Sequence, residues 1–421
     1  MSLSRRTFLK KSSGLAASVY GLSALGPRML ESLAGAAGPD DAVLVSVYLG
    51  GGMDSLSALA PVGDPKYASL RPTLAVSAAA GLPFGEDPRL AWNPRAKGLA
   101  TLHGEGKVTV MPAIGNDDPN GSHFSTRHFW DVGEMSTGGT TGWLGRLLDR
   151  IGRPDNPLQG LTLDQSLSPA LVTRSVPTAA VDRPDDFSFW TRNVWSPVDA
   201  AMMSTFAEFG RGPAPDDAMR VARAAAGQTA MLRGQLAPFA SKDDKPSFTS
   251  PVPYPESEDE SLPRQLAALA ALLGAGLPIR CVSINAIGDW DTHSDQSGKF
   301  NANLQLLSDS LLAFQRDIEA RRLADRVLTH VWSEFGRRAE ENGSGGTDHG
   351  AAGLSMVIGT RATGRMVGEF PGLSTLDEGG NLRTTCDFRG VYCSLLESWF
   401  GVDAAAVIPG AGRFNRPALV R

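Results

Sequence analysis

From Ile279 to Ser333 the chain alternates in a way few folds accept. An apolar run ends at Ile287, the polar cluster Asp289-Trp290-Asp291-Thr292-His293 follows, then a long amphipathic segment, then a second apolar run from Arg326 to Ser333. Within the segment from Phe300 to Leu323, the residues Leu304, Leu307, Leu311, Phe314 and Ile318 recur at spacings of three and four, the period of one helix face. Strand, helix, strand in this order predicts a right-handed parallel crossover, which delivers the carboxyl ends of both strands to one edge of one sheet. The clusters that follow the two strands then share that edge, where α/β proteins carry their chemistry. The fold class expected is α/β, with a mostly parallel central sheet and helices on both faces.

The rest of the chain fits this frame. Ala42 to Leu49 is a continuous apolar run rich in β-branched residues, the pattern of a strand buried on both faces. It empties into Gly50-Gly51-Gly52-Met53-Asp54-Ser55, which lacks the GxGxxG spacing of a dinucleotide-binding turn. Lys107 to Ile114 reads as a second strand, followed by a dense turn signal and by Ser122-His123-Phe124 opening a helix. Helices are also expected over 94–104, 142–151, 216–236 and 262–273, and from Cys386-Asp387-Phe388 to Phe400. Residues 156–263 read as a loop-rich cap or linker whose aromatic and methionine residues (Phe187, Phe189, Trp190, Trp195, Met202, Met203, Phe206) suit a core or a cleft lining. Residues 37–421 are expected to form a single domain around the sheet.

Before that domain, Ser4-Arg5-Arg6-Thr7-Phe8-Leu9-Lys10 has the twin-arginine export pattern, followed by a weakly apolar run and an Ala34-Gly35-Ala36 cleavage signal. Residues 1–36 are therefore expected to be a signal peptide read by the twin-arginine machinery, placing the product in the periplasm or outside the cell. The apolar run is too short for a stable membrane span, which needs about 20 apolar residues. The leader carries Arg5, Arg6, Lys10, Lys11 and Arg28 against Glu31, so its removal takes the formal charge from −5 to −9. An acidic mature chain argues against nucleic acid as a partner. The three cysteines, Cys281, Cys386 and Cys393, are no disulfide scaffold, and leave open either a Cys386–Cys393 pair or free thiols.

The glycine-rich loop after the second crossover strand runs from Ser333-Glu334-Phe335-Gly336-Arg337 to Gly346-Thr347-Asp348-His349-Gly350, before another apolar run from Leu354 to Ile358. If Asp54, Asp291, His293, Glu334, Asp348 and His349 converge, the ligand set is mixed nitrogen and oxygen without thiolate. Such a set suits zinc, manganese or iron, whereas calcium prefers all oxygen. Asp291 and His293 are two apart, so in extended backbone both point to the same side. The competing reading is a structural salt-bridge network. Ser122 reads first as a helix N-cap and, more sharply, as a nucleophile or anion site. Ser55 is the second candidate nucleophile, and Arg337 is placed to pair with a substrate anion. Its neighbour Glu334 could bind metal or act as a base, while His123 and His128 read as packing or outer groups.

Six ordered segments, "YLGGGMDSLSALAP", "SHFSTRHFW", "GWLGR", "DWDTHSDQ", "SEFGRRAEENGSGGTDHG" and "DFRGVYCSLLESWFG", together with the twin-arginine leader, resemble the exported bacterial proteins called domain of unknown function 1501. The resemblance implies an alkaline-phosphatase-like three-layer sandwich related to sulfatases and phosphomutases. It implies adjacent metal positions, with Asp54 as the first aspartate, Asp291 and His293 as a middle pair and His349 as the last histidine. Glu334-Phe335-Gly336 then falls where the superfamily has Asp-His-Gly, so Phe335 replaces an imidazole. The hydroxyl nucleophile maps to Ser122, with Ser55 behind it. The expectation is a metal-dependent hydrolase of small anionic phosphate or sulfate esters, with zinc as first choice and one ion, though two would fit. The alternative is a catalytically degenerate relative that binds an anionic cell-surface ligand or a partner protein.

Overall fold

The first apolar run forms strand β1, Val43–Leu49, with every residue buried. In the computed structural model, which describes residues 42–184, 196–240, 248–256, 261–286 and 288–421, β1 sits near the middle of an eight-stranded sheet. The other strands are β2 (Val108–Gly115), β3 (Gly160–Thr162), β4 (Ala179–Ala180), β5 (Cys281–Ala286), β6 (Val327–Trp332), β9 (Gly353–Ile358) and β10 (Cys386–Asp387). Between β6 and β9 a hairpin of β7 (Arg337–Glu341) and β8 (Thr347–His349) stands off the sheet. The order across the sheet is β10-β2-β9-β6-β1-β5-β3-β4. Every pairing is parallel except those of β9, which runs against both β2 and β6. The hairpin accounts for this reversal, because it brings the chain back to the edge that it has just left.

The helices named below are α1 (Ser55–Ala58), α2 (Lys97–Gly104), α3 (His123–Val132), α4 (Trp143–Ile151), α5 (Ser196–Arg211), α6 (Asp217–Leu236), α7 (Ser261–Gly274), α8 (Gln296–Ala320) and α9 (Phe388–Ser394). The period-two geometry of β1 divides the apolar core into two layers. Val43, Val45, Val47 and Leu49 pack with α2, α7 and the Leu304, Leu307, Leu311, Phe314 and Ile318 face of α8. Leu44 and Tyr48 pack on the opposite side with α3, α4 and α9. The result is the expected α/β sandwich, a mostly parallel sheet with helices on both faces. Its expected crossover, β5-α8-β6, is present, with β1 lying between the two strands it joins.

The expected loop-rich cap over 156–263 contributes β3 and β4 to the sheet and the paired helices α5 and α6. The expected leader, the side chains at Phe187, Phe189, Trp190, Trp195, Met202 and Met203, and residue Ile287 lie outside the described residues. All three cysteines are free thiols, Cys281 and Cys393 buried and Cys386 half-buried. No helix among the described residues is long and apolar enough to cross a membrane.

One buried titratable group in the sheet makes stability pH-dependent. His330, in the middle of β6, is fully buried, and burial pushes its pKa down to about 3. Ser355 Oγ donates to the Val331 carbonyl and therefore accepts from His330 Nε2–H at 3.0 Å, which fixes the neutral tautomer. The unfolded imidazole takes a proton near pH 6.5, whereas the folded one resists it to about pH 3. The stabilisation is therefore complete above 6.5 and is lost as pH falls towards 3, by about 1.4 kcal/mol per pH unit. Urea unfolding of the parent and of His330→Gln between pH 7 and 4 tests this: the difference between the two should shrink along that slope as acid is added.

Candidate metal centre

Strands β1, β2, β5 and β6 all end at one edge of the sheet, and β9 starts there. The loops at this edge are pressed together. Gly51 has φ +117°, and a Cβ there would come within 2.5 Å of the Asp291 backbone nitrogen. At Gly346 a Cβ would meet the His293 carbonyl carbon at 2.3 Å, so the β7–β8 hairpin lies directly on the loop after β5. Only glycine permits either approach.

Three imidazoles converge here. His349 Nε2 lies 3.0 Å from His123 Nε2, 2.9 Å from His293 Nε2 and 3.2 Å from Asp291 Oδ1. The Asp291 carboxylate also stands 3.4 Å from His123 Nε2 and 3.1 Å from His293 Nε2. His123, Asp291 and His349 together offer donor atoms all within 4.8 Å of one another, an arrangement that could hold a metal ion. The outward nitrogens settle the tautomers. His123 Nδ1 is 2.6 Å from Glu334 Oε1, His293 Nδ1 is 3.2 Å from Asp348 Oδ1, and His349 Nδ1 is 2.8 Å from the Gly121 carbonyl. Carboxylates and carbonyls only accept, so each Nδ1 is the donor and each neutral ring turns its Nε2 lone pair inward. Lone pairs facing one another at 2.9–3.0 Å repel unless a proton or a cation lies between them. The donor chemistry, imidazole and carboxylate with acceptors behind the rings, is that of a nitrogen–oxygen metal site.

The carboxylates divide into two roles. Burial raises the pKa of Asp291, but the Arg337 guanidinium, His349 and His123 outweigh it and hold the carboxyl at about 2. It is therefore an anion at neutral pH. For Glu334, burial is likewise opposed, here by His123 and by the backbone N–H of Gly51, which donates at 2.9 Å; the net direction is down. The pKa of His123 is raised, chiefly by its hydrogen bond to Glu334. Glu334 and Asp348 thus stand behind His123 and His293, orienting the rings rather than meeting a cation themselves. Neutralising such an outer partner typically costs 10–100-fold in metal affinity. Glu334→Gln should accordingly weaken metal binding by about that factor while leaving the fold intact, as read by competition with a chelating dye.

Several expected ligands are used elsewhere. Asp54 is fully buried, and its carboxylate accepts from both terminal nitrogens of Arg71, from Ser57 Oγ, from Gln296 Nε2 and from the Leu56 backbone. It caps α1 and neutralises Arg71, and so is no part of the imidazole cluster. Ser55 is buried, with Oγ donating to the Met53 carbonyl and accepting from the Leu354 N–H at 2.6 Å, which leaves it no nucleophilic role as placed. Arg337 is also buried, and donates to the carbonyls of Gly51, Gly52, Thr347 and Trp290 and to Asp291. Instead of facing a substrate it bolts three loops together. Ser122 caps α3, its Oγ accepting from the Ser125 N–H at 3.4 Å.

His123 was read from the sequence as an outer or packing group and is instead in the cluster. Its carboxylate partner is 211 residues away, so no local pattern marks it. The one available signal is position, since it follows a strand that ends at the same edge as β1, β5 and β6. Phe335 packs its ring against His123 and His349 at centroid distances of 4.8 and 5.0 Å and walls the cluster on that side.

Residues 114–379 match the family described as "Protein of unknown function (DUF1501)". No curated protein matches the chain. Among solved structures, it is similar to the PsFucS1 sulfatase from Pseudoalteromonas sp., with 11% identity over 93% of this chain and 78% of that one and a TM-score of 0.37. It is similar also to a protein in the alkaline phosphatase superfamily from Vibrio parahaemolyticus, with 9% identity, 97% and 76% coverage and a TM-score of 0.35. A third is the C-terminal periplasmic domain of EcEptC from Escherichia coli, in complex with Zn, with 10% identity, 88% and 87% coverage and a TM-score of 0.34. At these scores the functional reading rests on the chain's own residues.

Proposed function

The chain belongs to the family of proteins of unknown function DUF1501, and from that premise and its imidazole cluster we propose that it is an exported, metal-dependent hydrolase of phosphate or sulfate esters. The observation that carries the reading is the convergence of three Nε2 atoms on Asp291, each ring held from behind by an acceptor on its Nδ1. His123, Asp291 and His349 would hold the ion, with His293 beside them; zinc is the first choice and manganese or iron the others. A divalent cation supplies Lewis acidity towards an ester oxygen and lowers the pKa of a water. The protein's part is to keep the donors in register. Glu334 and Asp348 fix two rings, Arg337 locks Asp291, and Phe335 closes one side with hydrocarbon. Next to His123, Phe124 exposes 89% of its surface, an apolar face suited to the uncharged part of an ester. Export to the periplasm or beyond, by the twin-arginine machinery, is part of the proposal and is supported by the leader pattern.

A second reading is favoured by a specific observation: Ser55, the second candidate nucleophile, and Arg337, the expected anion clamp, are both committed inward. On that reading the protein binds an anionic cell-surface ligand or a partner without turnover. Metal analysis of protein purified through its export route, followed by aryl phosphates and aryl sulfates, separates the two. At least one equivalent of metal with turnover supports the hydrolase. Metal-free protein that binds an anion tightly and turns nothing over supports the binder, and sinks the hydrolase.

A further inference from the structure

Arg146, Arg150 and Arg174 line one surface cleft of about 280 Å³ together with Asp149, Ser175 and Ala406. The cleft shares no residue with the imidazole cluster. Three guanidinium groups around one cavity are conspicuous on a chain whose formal charge is −5. Their counter-charges are largely accounted for elsewhere. Asp149 accepts from the backbone N–H groups of Arg174, Ser175 and Val176 and from Ser175 Oγ at 2.7 Å, which holds the 174–176 turn in place. Arg146, half-buried on α4, donates to three carbonyls, of Val407 at 2.6 Å, Thr141 at 2.6 Å and Val132 at 2.5 Å, and makes no ion pair among the described residues. Burial, opposed by Glu134 and aided by the charge of Arg174, pushes its pKa down. Arg150 and Arg174 are exposed and likewise make no ion pair among the described residues.

The plain alternative is that a helix C-terminus attracts cations. That accounts for Arg150, in the last turn of α4. It does not account for Arg174, which lies on a loop, or for Arg146, whose guanidinium is pinned by carbonyls from three separate segments. A fixed guanidinium flanked by two exposed ones offers forked donors of the kind that grip the oxygens of a phosphate or sulfate in pairs.

We propose that this cleft is a second binding site, separate from the imidazole cluster, for a phosphate or sulfate group, held by Arg146, Arg150 and Arg174. The group could be a free anion or the headgroup of a lipid. Inorganic phosphate is titrated calorimetrically into the full chain at constant ionic strength, in the parent and in a His349→Ala background that removes the imidazole cluster as a competing site. Saturable binding should persist in His349→Ala and weaken about tenfold or more in Arg150→Ala and in Arg174→Ala, the loss expected of one charge-assisted fork. The exposed control Arg361→Ala should bind as the parent does. Arg146 is left intact because it fastens three backbone segments. Equal binding by parent and cleft variants, an equal loss in Arg361→Ala, or loss of all binding in His349→Ala would each overturn the proposal. Sedimentation with phosphatidylglycerol vesicles distinguishes the sources. Vesicle binding that Arg174→Ala removes supports a lipid headgroup, and phosphate binding without vesicle binding supports a free anion.

Discussion

On the proposed hydrolase reading, replacing His349 by alanine should abolish metal binding and ester hydrolysis together, with little change in fold. His349 Nε2 is the hub of the cluster, within 2.9–3.2 Å of donor atoms on His123, His293 and Asp291. Losing an outer partner costs 10–100-fold in affinity, so losing this inner donor should cost more than about 100-fold, enough to empty the site during purification. The structural cost is small. The ring is about a quarter exposed, and outside the cluster its hydrogen bonding is limited to the Gly121 carbonyl. Removing such a side chain typically changes stability by about 1 kcal/mol. Metal content by mass spectrometry, turnover of an aryl ester and the urea midpoint are read on the same preparation. A variant that keeps its full complement of metal would rule out the cluster as the binding site, whatever happens to turnover.

How far the sequence already contained this picture depends on whether the relevant partner was near or patterned. Strand β1 and helix α8 were legible because burial on two faces, or on one face, leaves a period in the residues themselves. From that period, the crossover rule was enough to put the loops after β5 and β6 at one edge. The direction of β9 was not legible. It depends on the β7–β8 hairpin, whose strands are charged and glycine-flanked and so read as a polar loop. Side-chain roles failed for a different reason. An arginine is exposed by default, yet Arg337 is buried because the loops after β1 and β5 bring carbonyl and carboxylate oxygens to it from residues 46 to 286 positions away. Asp54 looked like a ligand because its neutralising partner, Arg71, lies in a proline-rich span with no pattern to mark it. Polar atoms at a strand end are therefore easy to place at an edge and hard to aim.

Asp54→Ala separates a structural carboxylate from a metal ligand, and the expected result is a large loss of stability with metal binding retained. Both Asp54 and Arg71 side chains are fully buried, so deleting the carboxylate leaves a guanidinium without its counter-charge in the core. Removing one partner of such a pair typically costs about 3–5 kcal/mol. Other partners lose contacts with it: Ser57 Oγ loses its acceptor, Gln296 Nε2 keeps only Ser57 Oγ at 3.2 Å, and α1 loses its cap. Gln296 Oε1 also accepts from Thr292 Oγ1 at 2.9 Å and Thr347 Oγ1 at 2.7 Å, so some loosening should reach the loops that carry His293 and His349. Even so, no donor atom of the imidazole cluster is removed, and protein that remains folded should bind metal at the parent's stoichiometry. The acid side gives a second readout. Burial raises the Asp54 pKa, but Arg71, Ser57 and Gln296 outweigh it and hold the carboxyl below its ordinary value, so its contribution is present above the unfolded pKa and is lost as pH falls through the folded one. The variant's urea midpoint should therefore approach the parent's in strong acid. A double replacement by packed apolar residues, Asp54→Leu with Arg71→Met, should recover much of the loss, because no unpaired charge is then left in the core. The opposite pattern, metal lost from Asp54→Ala with the urea midpoint unmoved, would return Asp54 to the metal and require the loop after β1 to be arranged differently.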